Sequence, residues 1–110
     1  MSTIVRLSDY RTRRSRVYFN RTELSALLAV YSERVARGEW KDYAIDHHPG
    51  VAVFSVFRHT ADRPAYAVAK SVGPNGPEYA VFDQNRRLKK GGTLTDILAA
   101  LPSKLLLVRD

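Results

Sequence analysis

The chain has 110 residues, 45% of them hydrophobic and 26% charged, with a net charge of +7, the balance of a single basic globular domain. It has no cysteine, so disulfide staples, thiolate metal sites and a cysteine nucleophile are excluded, and a reducing cytoplasm is the expected compartment. No apolar run approaches the ~18–20 residues that span a bilayer, and no signal-peptide-like core follows Met1.

The first 21 residues hold Arg6, Arg11, Arg13, Arg14, Arg16 and Arg21 against Asp9 alone, a net +5. Residues 22–110 are close to neutral apart from one cluster, Arg86, Arg87, Lys89 and Lys90. Thirteen of the eighteen basic residues are arginine, whose planar fork of donors matches phosphate and carboxylate oxygens. Residues 1–16 show little periodicity, so they are expected to form a disordered arginine-rich tail ahead of a single domain over residues 17–110. The start of the tail shares its arginine-rich, acid-poor composition with organelle transit peptides, but it lacks their amphipathic stripe.

Residues 17–19 are expected to form a short edge strand. Asn20 is a strong N-cap and Glu23 completes a capping box, with Phe19 and Leu24 at the two positions of a hydrophobic staple. Leu24, Leu27, Leu28, Tyr31 and Val35 then mark one face of a helix over residues 21–37. Gly38 supplies the left-handed stop, and Arg34 and Arg37 lie near the negative end of the dipole.

From Trp40 the period changes to two. Residues 43–47 alternate, Pro49 and Gly50 turn the chain, and residues 51–58 return as a strand apolar on both faces, hence central. A third strand places Tyr66, Val68 and Lys70 on one face and Ala65, Ala67 and Ala69 on the other, a flat surface suited to a closely packed helix. Residues 73–77 form a turn, residues 79–82 a fourth strand, residues 83–85 a tight turn and residues 86–90 a short basic fifth strand. Thr93 or Thr95 caps a second helix carrying Leu94, Ile97, Leu98 and Leu101, and Pro102 ends it. Residues 105–108 read as a last buried strand. The fold class is α+β: an antiparallel meander of four to five strands, two helices on one face and a short C-terminal buried strand.

Few residues suggest catalysis. His47 and His48 are adjacent on a strand, point to opposite faces and match no zinc spacing, even with His59, Asp42 or Asp46 as further ligands. Ser55 lies within a strand between bulky neighbours rather than on an exposed elbow, and neither it nor Ser71 or Ser103 pairs convincingly with a histidine. The acids Glu39, Asp42 and Asp46 read as solvated charges that protect a sheet edge. The turn at residues 73–77 carries two prolines and no phosphate-loop pattern. Gly91, Gly92 and Thr93, after Lys89 and Lys90, offer an anion a helix N-terminus, but also read as a plain strand-to-helix turn. Aromatics on the strands evoke single-stranded RNA platforms, although the RNP1 signature is absent and such rings more often fill a core. No catalytic residue, metal or cofactor is expected.

The stretch GEWKDYAID at residues 38–46, VFSVFR at residues 53–58, Pro64 followed by Tyr66, and Leu88 to Gly91 together resemble a family of short bacterial proteins classed as a domain of unknown function. The resemblance runs over residues 17–108 and excludes the arginine tail. It implies a bacterial, cytoplasmic, non-secreted protein and carries no activity with it.

The expected function is therefore non-enzymatic binding. Arg11, Arg13, Arg14 and Arg16 with Arg86, Arg87, Lys89 and Lys90 are the candidates for contact with RNA or DNA phosphate. The alternative is a protein–protein adaptor that docks through residues 40–58, with Trp40, Tyr43 and Arg58 as anchors. Exposure of Trp40 discriminates between them, and an enzyme would need a pocket lined by Asp46, His47 or Arg58.

Overall fold

Local chemistry starts the first helix where the sequence places it. In the computed structural model, which describes residues 5–10, 15–59 and 63–102, helix α1 spans Arg21–Ala36. The Asn20 side chain accepts from Glu23 N and the Glu23 carboxylate accepts from Asn20 N, each at 2.8 Å, so the capping box is complete. At the other end Gly38 has φ +75°. Gly38 N donates to Val35 O and Glu39 N to Arg34 O, both at 2.9 Å, which is the Schellman pairing of a glycine-terminated helix.

The period-two segments form β1 (Asp42–His48), β2 (Val51–Phe57), β3 (Tyr66–Gly73), β4 (Gly76–Phe82) and β5 (Arg87–Gly91). They make one antiparallel sheet in sequence order, so β1 and β5 are its edges among the described residues. Helix α2, Leu94–Ala99, is only six residues long and is capped by Thr93. The α+β class and the five-strand meander agree with expectation. The anticipated C-terminal strand at residues 105–108 lies outside the described residues. Residues 17–19 are not a strand; the adjacent pairing is a single bridge between Arg16 and Pro49.

The sheet buries both faces in its central strand. On one face Ala52, Phe54 and Val56 of β2, Val68 of β3 and Tyr79 and Val81 of β4 pack with Leu27 of α1 and Ile97 of α2. Trp40 and Leu101 join this main core. On the other face Val51, Val53, Ala67 and Ala69 form a second cluster, but no helix of the main core covers it. Its cover is the N-terminal segment: Val5 is 0% exposed, and Leu7 and Tyr10, around a 3-10 turn at Leu7–Asp9, pack against the same cluster.

Of the expected tail, the described residues 5–10 and 15–16 therefore lie on the sheet. Small alanine side chains leave a shallow surface, and the apolar residues of the N-terminus fill it because that face would otherwise expose Val51 and Val53. Residues 15 and 16 are held too: Gly50 N donates to Ser15 O at 2.9 Å, and the Arg16 guanidinium donates to His47 O. Arg11, Arg13 and Arg14 lie outside the described residues, but the chain on either side of them is anchored to the sheet.

The helix face also departs from its expected stripe. Val35 is exposed, whereas Arg34 is buried. The Arg34 guanidinium reaches across to the end of α2 and donates to Pro102 O at 2.7 Å and Leu101 O at 3.3 Å. It also lies 5.1 Å from the Trp40 ring centroid and 3.6 Å from the Glu39 carboxylate. Arginine wins the interior position because the C-terminal carbonyls of α2 need donors that valine lacks.

Candidate nucleic-acid interface

Strand β5 is short, basic and at the sheet edge. Arg86, Arg87, Lys89 and Lys90 are all exposed, and none forms an ion pair among the described residues. The turn before it is fixed by Asp83, whose carboxylate accepts from Asn85 N at 2.8 Å and Arg86 N at 2.9 Å. Those backbone donors hold the Asp83 carboxyl below its ordinary range, so the turn is anionic on its inside and cationic beyond it. A register shift between Val81 and Phe82 then pairs Phe82 with Arg87 and Ala80 with Lys90.

Cross-strand partners in a ladder share a face. Arg87 and Lys90 accordingly line a cleft of about 370 Å³ on the second face of the sheet, floored by Ala69, Ser71 and Ala80. Asp9 and Tyr10 of the N-terminal segment wall it on one side, and Glu78 and Phe82 of β4 contribute to the rest. Burial pushes the Tyr10 hydroxyl up, with Asp9 and Glu78 adding to the effect and Arg87 opposing it. A second hollow of about 270 Å³ adjoins it, lined by residues that include Asn75, Pro77 and Gly92, and shares Glu78 and Lys90 with the first.

The structure thus gathers part of the expected basic set. Arg86, Arg87, Lys89 and Lys90 are on one edge, and Tyr10, which leads into the arginines of residues 11–14, stands at the same cleft. Arg16 is elsewhere, at the hairpin between β1 and β2, with its guanidinium on His47 O. The glycine pair before α2 is a poor anion site: the helix has six residues, Thr93 Oγ1 accepts from Asp96 N, and Asp96 adds negative charge to the first turn.

The expected docking anchors fare differently. Trp40 is 2% exposed and belongs to the main core, so it is corrected from a surface anchor to a packing residue held by Tyr31 and Arg34. An aromatic ring of that size at the junction of α1, β2 and α2 contributes more when withdrawn from water. Tyr43 is exposed at its rim and packs in tilted geometry against the rings of Tyr31 and Phe54. Arg58 is turned back onto its neighbour, donating to the Tyr66 hydroxyl at 3.2 Å with its charge 5.5 Å from that ring. The two cavities described above are not lined by Asp46, His47 or Arg58. His47 instead packs against Tyr18 and Phe19, and no cluster of three metal-ligating side chains occurs among the described residues.

A buried polar cluster escaped the sequence reading. Glu23, Lys70 and Tyr79 are each less than a tenth exposed. Lys70 Nζ donates to the Glu23 carboxylate at 2.7 Å and to Tyr18 O at 2.8 Å, while the Tyr79 hydroxyl donates to the other Glu23 oxygen. Burial alone would raise the Glu23 carboxyl, but the bonds from Lys70, Tyr79 and Asn20 outweigh it and hold Glu23 below its ordinary range. Burial and the same carboxylate push the Tyr79 hydroxyl far up. Every member of the cluster is satisfied internally, which makes it a structural lock between α1 and the sheet rather than an open reaction centre. The alternation that put Lys70 on the face of Val68 was its one sequence signal.

Residues 17–98 match the family described as a protein of unknown function, DUF2794. The chain belongs to this family. The DUF2794 match takes in α1, all five strands and most of α2, and begins one residue after Arg16. The basic edge strand is therefore inside the DUF2794 region, and the arginines of residues 6–16 are outside it. No curated protein and no solved structure matches the chain. The helices described here include none long and apolar enough to cross a membrane.

Proposed function

We propose that this chain is a non-enzymatic, cytoplasmic nucleic-acid-binding protein whose contact surface is the basic edge formed by Arg86, Arg87, Lys89 and Lys90. The observation that carries the reading is that these four cations are exposed together on and just before an edge strand, without ion pairs among the described residues, and that Arg87 and Lys90 line a cleft. Charges that the fold does not use for itself remain available to phosphate, and binding of that kind gains from release of condensed counterions. Arg11, Arg13 and Arg14, which lie outside the described residues, add their charge to the chain's overall positive field. Arg16 is spent on the β1–β2 hairpin and contributes mainly charge.

Anisotropy titrations of the full chain against labelled RNA and DNA, repeated over a salt series, test the reading. Binding should weaken linearly in log–log form, and each lost phosphate contact should reduce the slope by about 0.7–0.9. Replacing Arg86, Arg87, Lys89 and Lys90 with alanine should remove most of the affinity, and Arg11, Arg13 and Arg14 changed to alanine should lower it further. Substitution is the proper probe because deleting the N-terminus would also remove Val5 from the core. Absence of binding at low salt, or affinity unchanged in both variants, overturns the proposal.

A further inference from the structure

The basic edge is bordered by a concavity with a chemistry of its own. Its volume, about 370 Å³, is at the small end of the ~300–1,000 Å³ range of ligand clefts. Arg87 and Lys90 stand at the β5 side, and Phe82 and Tyr10 provide half-buried aromatic surface. Ser71 in the floor is 8% exposed and places a hydroxyl-bearing side chain in the lining. Glu78, directly opposite Ser71 in the ladder, carries a carboxylate with no ion pair among those residues.

This combination fits a nucleotide better than it fits a bare anion or an acidic peptide. A carboxylate-rich ligand would offer no donor to Glu78 or Asp9 and would make no use of Phe82 or Tyr10. A base has an apolar face for an aromatic wall and N–H groups for a carboxylate or a hydroxyl, while its phosphate suits Arg87 and Lys90. In a duplex those base faces are stacked on one another, and only groove edges are offered.

We infer that the cleft between the N-terminal segment and β5 receives one unpaired nucleotide, so that the protein prefers single-stranded nucleic acid to duplex. The inference rests on the proposed nucleic-acid function and adds strand selectivity to it. The phosphate is held between Arg87 and Lys90, the base lies against Phe82 and Tyr10, and Ser71 and Glu78 meet its polar edge.

Anisotropy at one fixed salt, with a short oligouridine and a hairpin duplex as probes, reads the preference directly. The single strand should bind about tenfold tighter, and Phe82→Ala should cut that affinity by about 5–100-fold while duplex affinity stays within about twofold. Ser71→Leu, which fills the floor, should act in the same direction, with circular dichroism melts reporting whether each variant is folded. In the unaltered protein, backbone amide signals of Ser71, Glu78 and Phe82 should move on adding oligouridine and stay in place on adding duplex. Equal binding of the two probes, or shifts confined to residues outside the cleft, overturns the inference and leaves the basic-edge function standing. Failure to bind either probe overturns both.

Discussion

Glu23 and Lys70, 47 residues apart in the chain, form a buried ion pair 2.7 Å long that fixes the first turn of α1 to the middle of the sheet. Glu23 is also the N3 residue of the capping box, so one carboxylate serves the helix end, β3 through Lys70 and β4 through Tyr79. Removing one partner of a buried pair strands the other, at a cost of about 3–5 kcal/mol. Lys70→Met and Glu23→Gln should each lower unfolding free energy toward that range in urea titrations. The double variant Glu23→Leu, Lys70→Met should be less destabilised than the sum of its single changes, because no charge is then left alone.

The same carboxylate sets an acid limb. Its folded pKa lies below its unfolded value of about 4.3, so its stabilising contribution is complete above that pH and disappears as pH falls through the folded value. Urea midpoints measured from neutral pH downward should decline below about pH 4.3, and the decline should be shallower in Glu23→Gln.

An alkaline limb has the opposite sign. The folded state holds the protons of Tyr79, Tyr10 and Tyr31 more tightly than an unfolded chain does, with burial the leading cause for each. Stability from these groups is complete below about pH 10 and falls as pH rises above it. Tyrosinate absorbance should continue to develop beyond pH 10, and Tyr79→Phe should delete the last part of that titration.

Arg34 ties the end of α2 to α1 through Leu101 O and Pro102 O. Arg34→Lys cannot reproduce a two-carbonyl fork with its guanidinium stacked beside Trp40, so a loss of about 1–3 kcal/mol is expected in urea unfolding. Amide exchange in α2 should accelerate more than exchange in β2, and Trp40 fluorescence should shift to longer wavelength as water enters.

The N-terminal segment belongs to the fold. Val5→Ala removes about 1.5 kcal/mol of burial on the second face of the sheet, and deletion of residues 1–10 should cost more and expose Val51 and Val53 to a hydrophobic dye. Unchanged thermal stability after that deletion would mean that the segment does not cover the face.

Local signals were legible in the sequence wherever a few neighbouring residues decide a conformation. Asn20 with Glu23 set the start of α1, Gly38 its end, Pro49 and Gly50 the first hairpin, and Asp83 to Asn85 the last. Alternation gave β2 two apolar faces and therefore its inner position. What those patterns could not show is which surface meets which. An arginine-rich N-terminus reads as a tail until Val5 is seen against Val53 and Ala67, because composition averages over the few apolar residues that do the anchoring. Trp40 reads as an interface anchor until Tyr31 and Arg34 close over it. Glu23 reads as a cap alone, since its bonds to Lys70 and Tyr79 depend on strands that follow far along the chain. The same holds for the cleft: the basic run of β5 is plain in the sequence, but its facing of Tyr10 and Ser71 follows from the bulge register and from the return of the N-terminus. Short-range sterics and hydrogen bonding are written into neighbouring residues. Burial, ion pairing and concavity arise only when distant segments exclude water together.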